Sequence, residues 1–289
     1  MRVMAWNVNG AFPPQGSKDK IRNQIDFIEE EADSPDILML NEVTTNRRDL
    51  WREQLQKYLS YVDVVDTLDW ASELRESNVP PHQDIGHSNG NLIAVHEESP
   101  VQDLRRRQPT ITEGRWDGEQ LKHWSTNFPE KILPAELELA NTTVGLWAVR
   151  TVPGSMYGEE KIKILENTYN RIREAEHDTA IVAGDLNSPK AELPDGTTVP
   201  WGFDRESGLR ERWIGAELDV LTGLAEEGIV DVFREVHGYG QVTTDDVSFQ
   251  SKRFDHILAS EALGPEDCYY DHDGLECSDH APIVAELSI

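Results

Sequence analysis

Short, unbroken apolar runs rich in β-branched residues recur along the chain. They read as strands at Arg2 to Val8, Asp36 to Glu42, Tyr61 to Val65, Asn91 to His96, Thr143 to Arg150, Thr179 to Ala183, Arg253 to Ser260 and Ala281 to Leu287. Few of them alternate strictly between apolar and polar, as expected where helices cover a sheet. Between them the period lengthens to that of a helix. Ile21, Ile25 and Ile28 follow Ser17; Leu50, Leu55 and Leu59 follow Asn46; Ile162, Leu165, Tyr169 and Ile172 follow Gly158. A fourth stretch, Arg212 to Glu227, carries Leu218, Leu221 and Leu224. Strands alternate with helices in both halves, which predicts a layered α/β fold without giving the strand order.

The 289 residues contain no Pro/Gly/Ser-rich linker, fixed-period repeat or low-complexity tract, so one domain over residues 1–289 is the simplest expectation. No charged leader precedes the first strand and no run of about 18 apolar residues occurs, so a cytoplasmic monomer with no membrane-inserted segment is expected. Cys268 and Cys277 lie in no C-x-x-C pair and read as reduced thiols.

Charge changes the picture. There are 54 acidic against 27 basic residues, a net charge of −27, and 18 of the basic residues are Arg against 9 Lys. This balance resembles that of proteins from extreme halophiles: near 1 M salt the Debye length is about 3 Å and repulsion among surface carboxylates is screened. A nucleic-acid binder ordinarily presents a basic face. Here only Arg47-Arg48, Arg105 to Arg107 and Arg210 to Arg212 cluster, and each is more readily a solvated face than a phosphate track.

The informative polar residues stand at strand ends. Asn7 and Asn9 follow Val3-Met4-Ala5-Trp6, Glu42 closes Ile37 to Asn41, Asp185 and Asn187 follow Ala180 to Gly184, and Ser278-Asp279-His280 precedes the last strand. Polar residues leaving several buried strands meet at one rim of a sheet, where open α/β proteins place ligands. Singly, each has a plain explanation: an Asn or Asp after a strand is ordinarily a turn residue, and Asp255-His256 is readable as a satisfied polar pair. Together, five stretches occur in order: W-N-V-N-G at 6–10, N-E-V at 41–43, G-D-L-N-S-P at 184–189, R-F-D-H-I-L at 253–258 and S-D-H-A-P at 278–282.

With these motifs the chain resembles the endonuclease/exonuclease/phosphatase superfamily over almost its whole length, and within it most resembles the exonuclease III and AP-endonuclease branch. The resemblance implies a four-layered α/β sandwich, DNase I-like, of two packed mixed β-sheets flanked by helices. It also implies an Mg²⁺- or Mn²⁺-dependent phosphodiester hydrolase, with DNA as the expected partner. It assigns Glu42 as a metal-binding carboxylate, with Asp279, Asn9 and Asn7 lining the same pocket. Asp185 and Asn187 match the pair that positions or deprotonates the attacking water, and His280, held by Asp255, matches the group that meets a non-bridging phosphate oxygen. Those residue types suit the task, since hard cations take oxygen ligands and phosphoryl transfer needs charge neutralised on the equatorial oxygens.

Two departures qualify the resemblance. Where the branch carries a Tyr or His after the strand ending Leu146 to Val149, this chain has Arg150 and Thr151. Arg150 is able to clamp a phosphate through its fork, so both are candidate substrate-binding residues. Before Asp255, where AP-specific members carry a longer aromatic segment, Phe249 is the sole aromatic of Val247 to Arg253. That leaves as alternatives a phosphatase or phosphodiesterase for a small-molecule or lipid phosphoester and, from another class, a catalytically silent binding module. Trp6, Trp51, Trp147 and Trp213 stand in apolar contexts and read as core.

Overall fold

The computed structural model describes residues 1–10, 17–30, 34–76, 88–108, 124–154, 157, 159–175, 177, 179–206 and 208–289. One six-stranded sheet contains β1 (Arg2–Asn7), β2 (Ile37–Thr44), β3 (Tyr61–Asp66), β4 (Asn89–His96), β13 (Pro265–Tyr270) and β14 (Ile283–Leu287), in the order β13-β14-β1-β2-β4-β3. The other contains β5 (Asp103–Arg106), β6 (Ile132–Glu138), β7 (Thr143–Val149), β8 (Thr179–Asp185), β11 (Ile229–Asp231) and β12 (Asp255–Ser260), in the order β11-β12-β8-β7-β6-β5. Both sheets are mixed: β1 pairs with β2, and β7 with β8, in parallel, and the remaining pairs are antiparallel. A short hairpin, β9 (Ala191–Glu192) and β10 (Thr198–Val199), stands apart.

Strand periodicity divides the core. Val3 and Ala5 of β1, with Ile37 and Met39 of β2, face inward and pack with Leu146, Ala148, Ile181, Ala183 and Ile257 of the second sheet. Their neighbours Met4, Trp6, Leu38 and Leu40 point outward onto α1 (Lys18–Glu30) and α2 (Arg48–Tyr58), meeting Ile21, Ile25, Ile28, Trp51 and Leu55. On the far side, Trp147, Val149, Val182 and Leu258 meet Ile162, Leu165, Trp213 and Val220 of α4 (Glu160–Glu174) and α5 (Arg210–Leu221). Helix, sheet, sheet and helix form the four layers of a DNase I-like sandwich. Among the described residues, the remaining α-helices are α3 (Leu68–Glu76) and α6 (Val232–His237).

The sequence reading differs from this structure where local signals conflict. Ser17 does cap α1, its Oγ accepting from Lys20 N at 3.2 Å. Asn46, however, lies in a 3₁₀ turn, Thr45–Arg47, ahead of α2. The stretch read as one helix from Arg212 to Glu227 is α5 followed by a 3₁₀ turn, Gly223–Glu227, because Gly223 interrupts it. Gly158 lies outside the described residues. β6 was missed because Pro134 falls within it, and β13 because it opens Pro265-Glu266-Asp267. No described helix is long and apolar enough to cross a membrane.

Candidate active site

β1, β2, β8 and β12 deliver their polar ends to one place. Asn7 ends β1 opposite Asn41 of β2, and Asp185 ends β8 directly opposite Asp255, which opens β12. Across the sandwich, Asn7 Nδ2 donates to Asp185 Oδ2 at 3.0 Å and approaches Glu42 Oε1 at 3.4 Å. Arg150, one residue beyond β7, places its Nη2 on Glu42 Oε1 and its Nε 4.0 Å from Asp185 Oδ2. His280 Nδ1 lies 2.7 Å from Asp255 Oδ2.

The backbone is bent to aim these groups. Glu42 sits where the β2–β4 register shifts between Leu40 and Val43, and its φ is 60°. Such a bulge re-aims a side chain, here into the inter-sheet end. Gly10 permits this, since a Cβ there would lie 2.3 Å from the Glu42 carbonyl oxygen. Asn9 and Asn187 also have positive φ, 48° each. Both turns are closed by a preceding side chain, Asn9 N donating to Asn7 Oδ1 and Asn187 N to Asp185 Oδ1, each at 2.9 Å. Left-handed residues held by their surroundings cluster where function needs them.

The charges are unbalanced. Asp185 is fully buried, and burial drives its pKa up to about 6, with His280 and Arg150 opposing and Asp255 adding. Burial alone would lower the pKa of His280, but the charge and hydrogen bond of Asp255, joined by the charges of Asp185 and Asp279, raise it to about 10. Asp279 sits exposed at the mouth, and its pKa is raised by partial desolvation and by Glu42, against His280. Lys20, half-buried on α1, feels Asp279 and Glu42, though desolvation lowers its pKa. Asp255 Oδ1 is buried without a hydrogen-bond partner.

Nine of the ten sequence-predicted residues surround this point: Asn7, Asn9, Glu42, Arg150, Asp185, Asn187, Asp255, Asp279 and His280. Thr151 differs. It is fully buried and its hydroxyl donates to Leu186 O, while its carbonyl accepts from Asn187 Nδ2, so it shapes the turn and has no free side-chain face. Ser278 likewise supports a turn, donating to Asn7 O at 2.7 Å. Among the described residues, Asp185, Asp255 and His280 bring ligand atoms within 4.8 Å of one another, whereas the expected metal set was Glu42, Asp279 and Asn9. A protonated His280 has no lone pair for a cation, however.

Several contributors were not anticipated. Asn41 Oδ1 accepts from Asp185 N at 2.8 Å while its Nδ2 donates to Asn91, which in turn binds Lys131 O and Ala148 O. An Asn inside the apolar run of β2 was the only signal for it. Lys161, fully buried on α4, donates to Asn187 O at 2.7 Å and pairs with Glu217 at 3.0 Å. Trp201 Nε1 donates to the same carbonyl at 3.1 Å. Phe249 packs on His280 with ring centroids 4.6 Å apart. Five of the clustered Arg residues, by contrast, are committed elsewhere: Arg48 to Asp66, Arg105 to Asp103 and Glu138, Arg106 to Asp69, Arg107 to Glu136, and Arg212 to Glu159 and Glu166.

The model of the endonuclease/exonuclease/phosphatase family matches residues 4–280. Among solved structures, a humanized TDP2 of D. rerio is 16% identical, covering 100% of this chain and 99% of that one with a TM-score of 0.61. The 3′ phosphatase NExo from Neisseria, solved with a product DNA hairpin, is 18% identical with full coverage of both chains and a TM-score of 0.57. An endonuclease/exonuclease/phosphatase from Beutenbergia cavernae is 19% identical, covering 100% of this chain and 71% of that one, with a TM-score of 0.56. No curated protein matches in sequence.

Proposed function

Since the chain belongs to the endonuclease/exonuclease/phosphatase family, we propose that it is a divalent-metal-dependent phosphodiester hydrolase acting on DNA, by in-line attack of water on phosphorus. The observation that supports this most is the meeting of Asn7, Asp185, Glu42 and Arg150 beside the His280–Asp255 pair at one end of the sandwich. Neither Ser278, spent on Asn7 O, nor the buried Cys268 serves as a nucleophile.

The donor set fits Mg²⁺ or Mn²⁺. Glu42, Asp279 and Asn9 offer oxygen ligands, and Asp279, exposed at the mouth, is close enough to Glu42 to feel its charge. Bound there, such an ion supplies Lewis-acid stabilisation of charge on the phosphoryl oxygens. The chain's own residues do the rest. Asp185, oriented by Asn7, Asn41 and Asn187, accepts a proton from the attacking water. His280, kept protonated by Asp255, donates to a non-bridging oxygen. Arg150 adds a second cationic donor.

DNA is favoured by two neighbours, NExo solved with a product DNA hairpin and a D. rerio TDP2 solved with a single-strand DNA product. Abasic-site or 3′-end processing, in a halophile's cytoplasm, is the finer reading. One observation favours a small-molecule or lipid phosphoester instead: five of the clustered Arg residues, Arg48, Arg105, Arg106, Arg107 and Arg212, are held in ion pairs. The deciding experiment compares, in molar KCl with Mg²⁺ or Mn²⁺, an abasic duplex, an intact duplex, a 3′-phosphate duplex and an aryl phosphodiester. DNA cleavage abolished by EDTA and by His280→Ala supports the proposal. Cleavage of the aryl ester alone moves the substrate to small or lipid esters, and no cleavage of any favours a silent binding module.

A further inference from the structure

Arg150 stands beside Glu42 in an arrangement that leaves one N–H of its guanidinium, Nε, unsatisfied. It arrives from the second sheet with its N–H fixed on Lys131 O at 2.9 Å. One amine contacts Glu42 Oε1, the oxygen that also faces Asn7 Nδ2. Its Nε is buried and makes no hydrogen bond, lying 4.0 Å from Asp185 Oδ2. Arg offers five donors in a planar fork and cannot shed its charge. A buried fork with an idle Nε is partnered well enough to persist and poorly enough to be drawn to a better acceptor. A phosphate, with two oxygens for a bidentate contact, is such an acceptor.

Resting on the metal-hydrolase reading above, we propose that Arg150 is an internal counter-cation of Glu42 that keeps a divalent cation weakly bound until a substrate phosphate draws the guanidinium away. A cation reaching Glu42 meets a fixed positive charge already on that carboxylate, in a site where charges are poorly screened. When a phosphate takes the fork, Glu42 is released to the cation and the phosphate is bound in the same event. Metal and substrate therefore bind with positive coupling, each tightening the other by the same factor. The device deters metal loading without substrate.

The test is direct titration of Mn²⁺ into the metal-free full-length protein, without phosphate ester, following free Mn²⁺ by electron paramagnetic resonance. R150M and R150Q should bind Mn²⁺ about tenfold or more tighter than wild type, R150K should bind like wild type, and E42Q should bind more weakly. Equal or weaker binding by folded R150M or R150Q overturns the proposal. In the wild-type protein the ¹⁵Nε resonance of Arg150 should shift when inorganic phosphate and Mg²⁺ are added together, and a resonance unmoved by both also overturns it. If no form binds Mn²⁺, the hydrolase reading falls too; if wild type binds and cleaves while R150M and R150Q show wild-type affinity, only the role of Arg150 is wrong.

Discussion

Asn7 Nδ2 donates to Asp185 Oδ2 at 3.0 Å, an amide of one sheet held on a carboxylate of the other. The same nitrogen faces Glu42 Oε1 at 3.4 Å, so one side chain spaces two carboxylates that would otherwise repel. Asn7→Ala removes an oriented donor aimed at the reacting group without opening the hydrophobic core. We expect turnover to fall roughly 10²–10³-fold, the usual cost of one such donor, with circular dichroism unchanged. Steady-state kinetics on the best substrate checks this, and a loss below fivefold would remove Asn7 from the chemistry.

The His280–Asp255 pair makes stability depend on pH in a definite sense. Against burial, the carboxylates of Asp255, Asp185 and Asp279 together raise the His280 pKa from 6.5 to about 10, so the folded protein holds a proton that the unfolded chain gives up first. Its contribution is complete below pH 6.5 and is lost as pH rises through about 10. Asp185, raised to about 6 by burial and the neighbouring Asp255, also stabilises most at low pH, but its loss is largely over by pH 6.5. Urea unfolding of metal-free protein should therefore weaken between pH 6.5 and 10, and His280→Gln should flatten that slope. An identical slope in the variant would refute the assignment.

Gly184 is where a backbone requirement sits beside the chemistry. Its φ is 133°, and a Cβ would lie 2.2 Å from Val149 O and 2.5 Å from Asn41 Oδ1, the atom that receives Asp185 N. Gly184→Ala incurs about 1–3 kcal/mol of backbone strain plus the steric clash. We expect a melting temperature lower by roughly 5 °C or more and impaired turnover, because relief of the clash moves Asp185. An unshifted melting curve would show that the turn tolerates a side chain.

The layers were legible in the sequence because every central strand carries its own apolar run, and alternation within Val3 to Trp6 assigns the faces. The acid–base residues were legible because each stands at an end of such a run, Asp185 closing β8, Asp255 opening β12 and His280 preceding β14. What escaped depends on tertiary partners. Lys161 and Glu217 lie on different helices and meet only when α4 packs on α5. Thr151 was read one way and sits another, because its hydroxyl finds Leu186 O, a choice that no local pattern records. Edge strands β5 and β13 are polar on solvent-facing positions, which erases the apolar signal.

The net charge of −27 predicts a salt response. Surface carboxylates repel in dilute buffer, and raising ionic strength from 0.1 M to 1 M cuts the Debye length from about 10 Å to 3 Å. The melting temperature should climb with KCl over that range. A flat or falling curve would show that ion pairs such as Arg212 with Glu159 and Glu166, which salt weakens, outweigh the repulsion.

The buried pair Lys161–Glu217 ties stability to the catalytic turn. Lys161 Nζ donates to Asn187 O at 2.7 Å, Glu217 accepts from Ser188 Oγ, and both side chains are excluded from water. Removing Lys161 alone strands a buried carboxylate, which costs about 3–5 kcal/mol, whereas replacing both members by apolar residues of similar volume is often nearly neutral. Lys161→Met should thus destabilise strongly, and Lys161→Met with Glu217→Met should recover most of the loss. Turnover should not recover in parallel, because Asn187 O, in the turn that presents Asn187 to Asp185, still lacks its ammonium donor and keeps the Trp201 indole. Chemical denaturation and kcat measured on the same three proteins separate the two effects. If activity returns with stability in the double variant, Lys161 serves the fold alone.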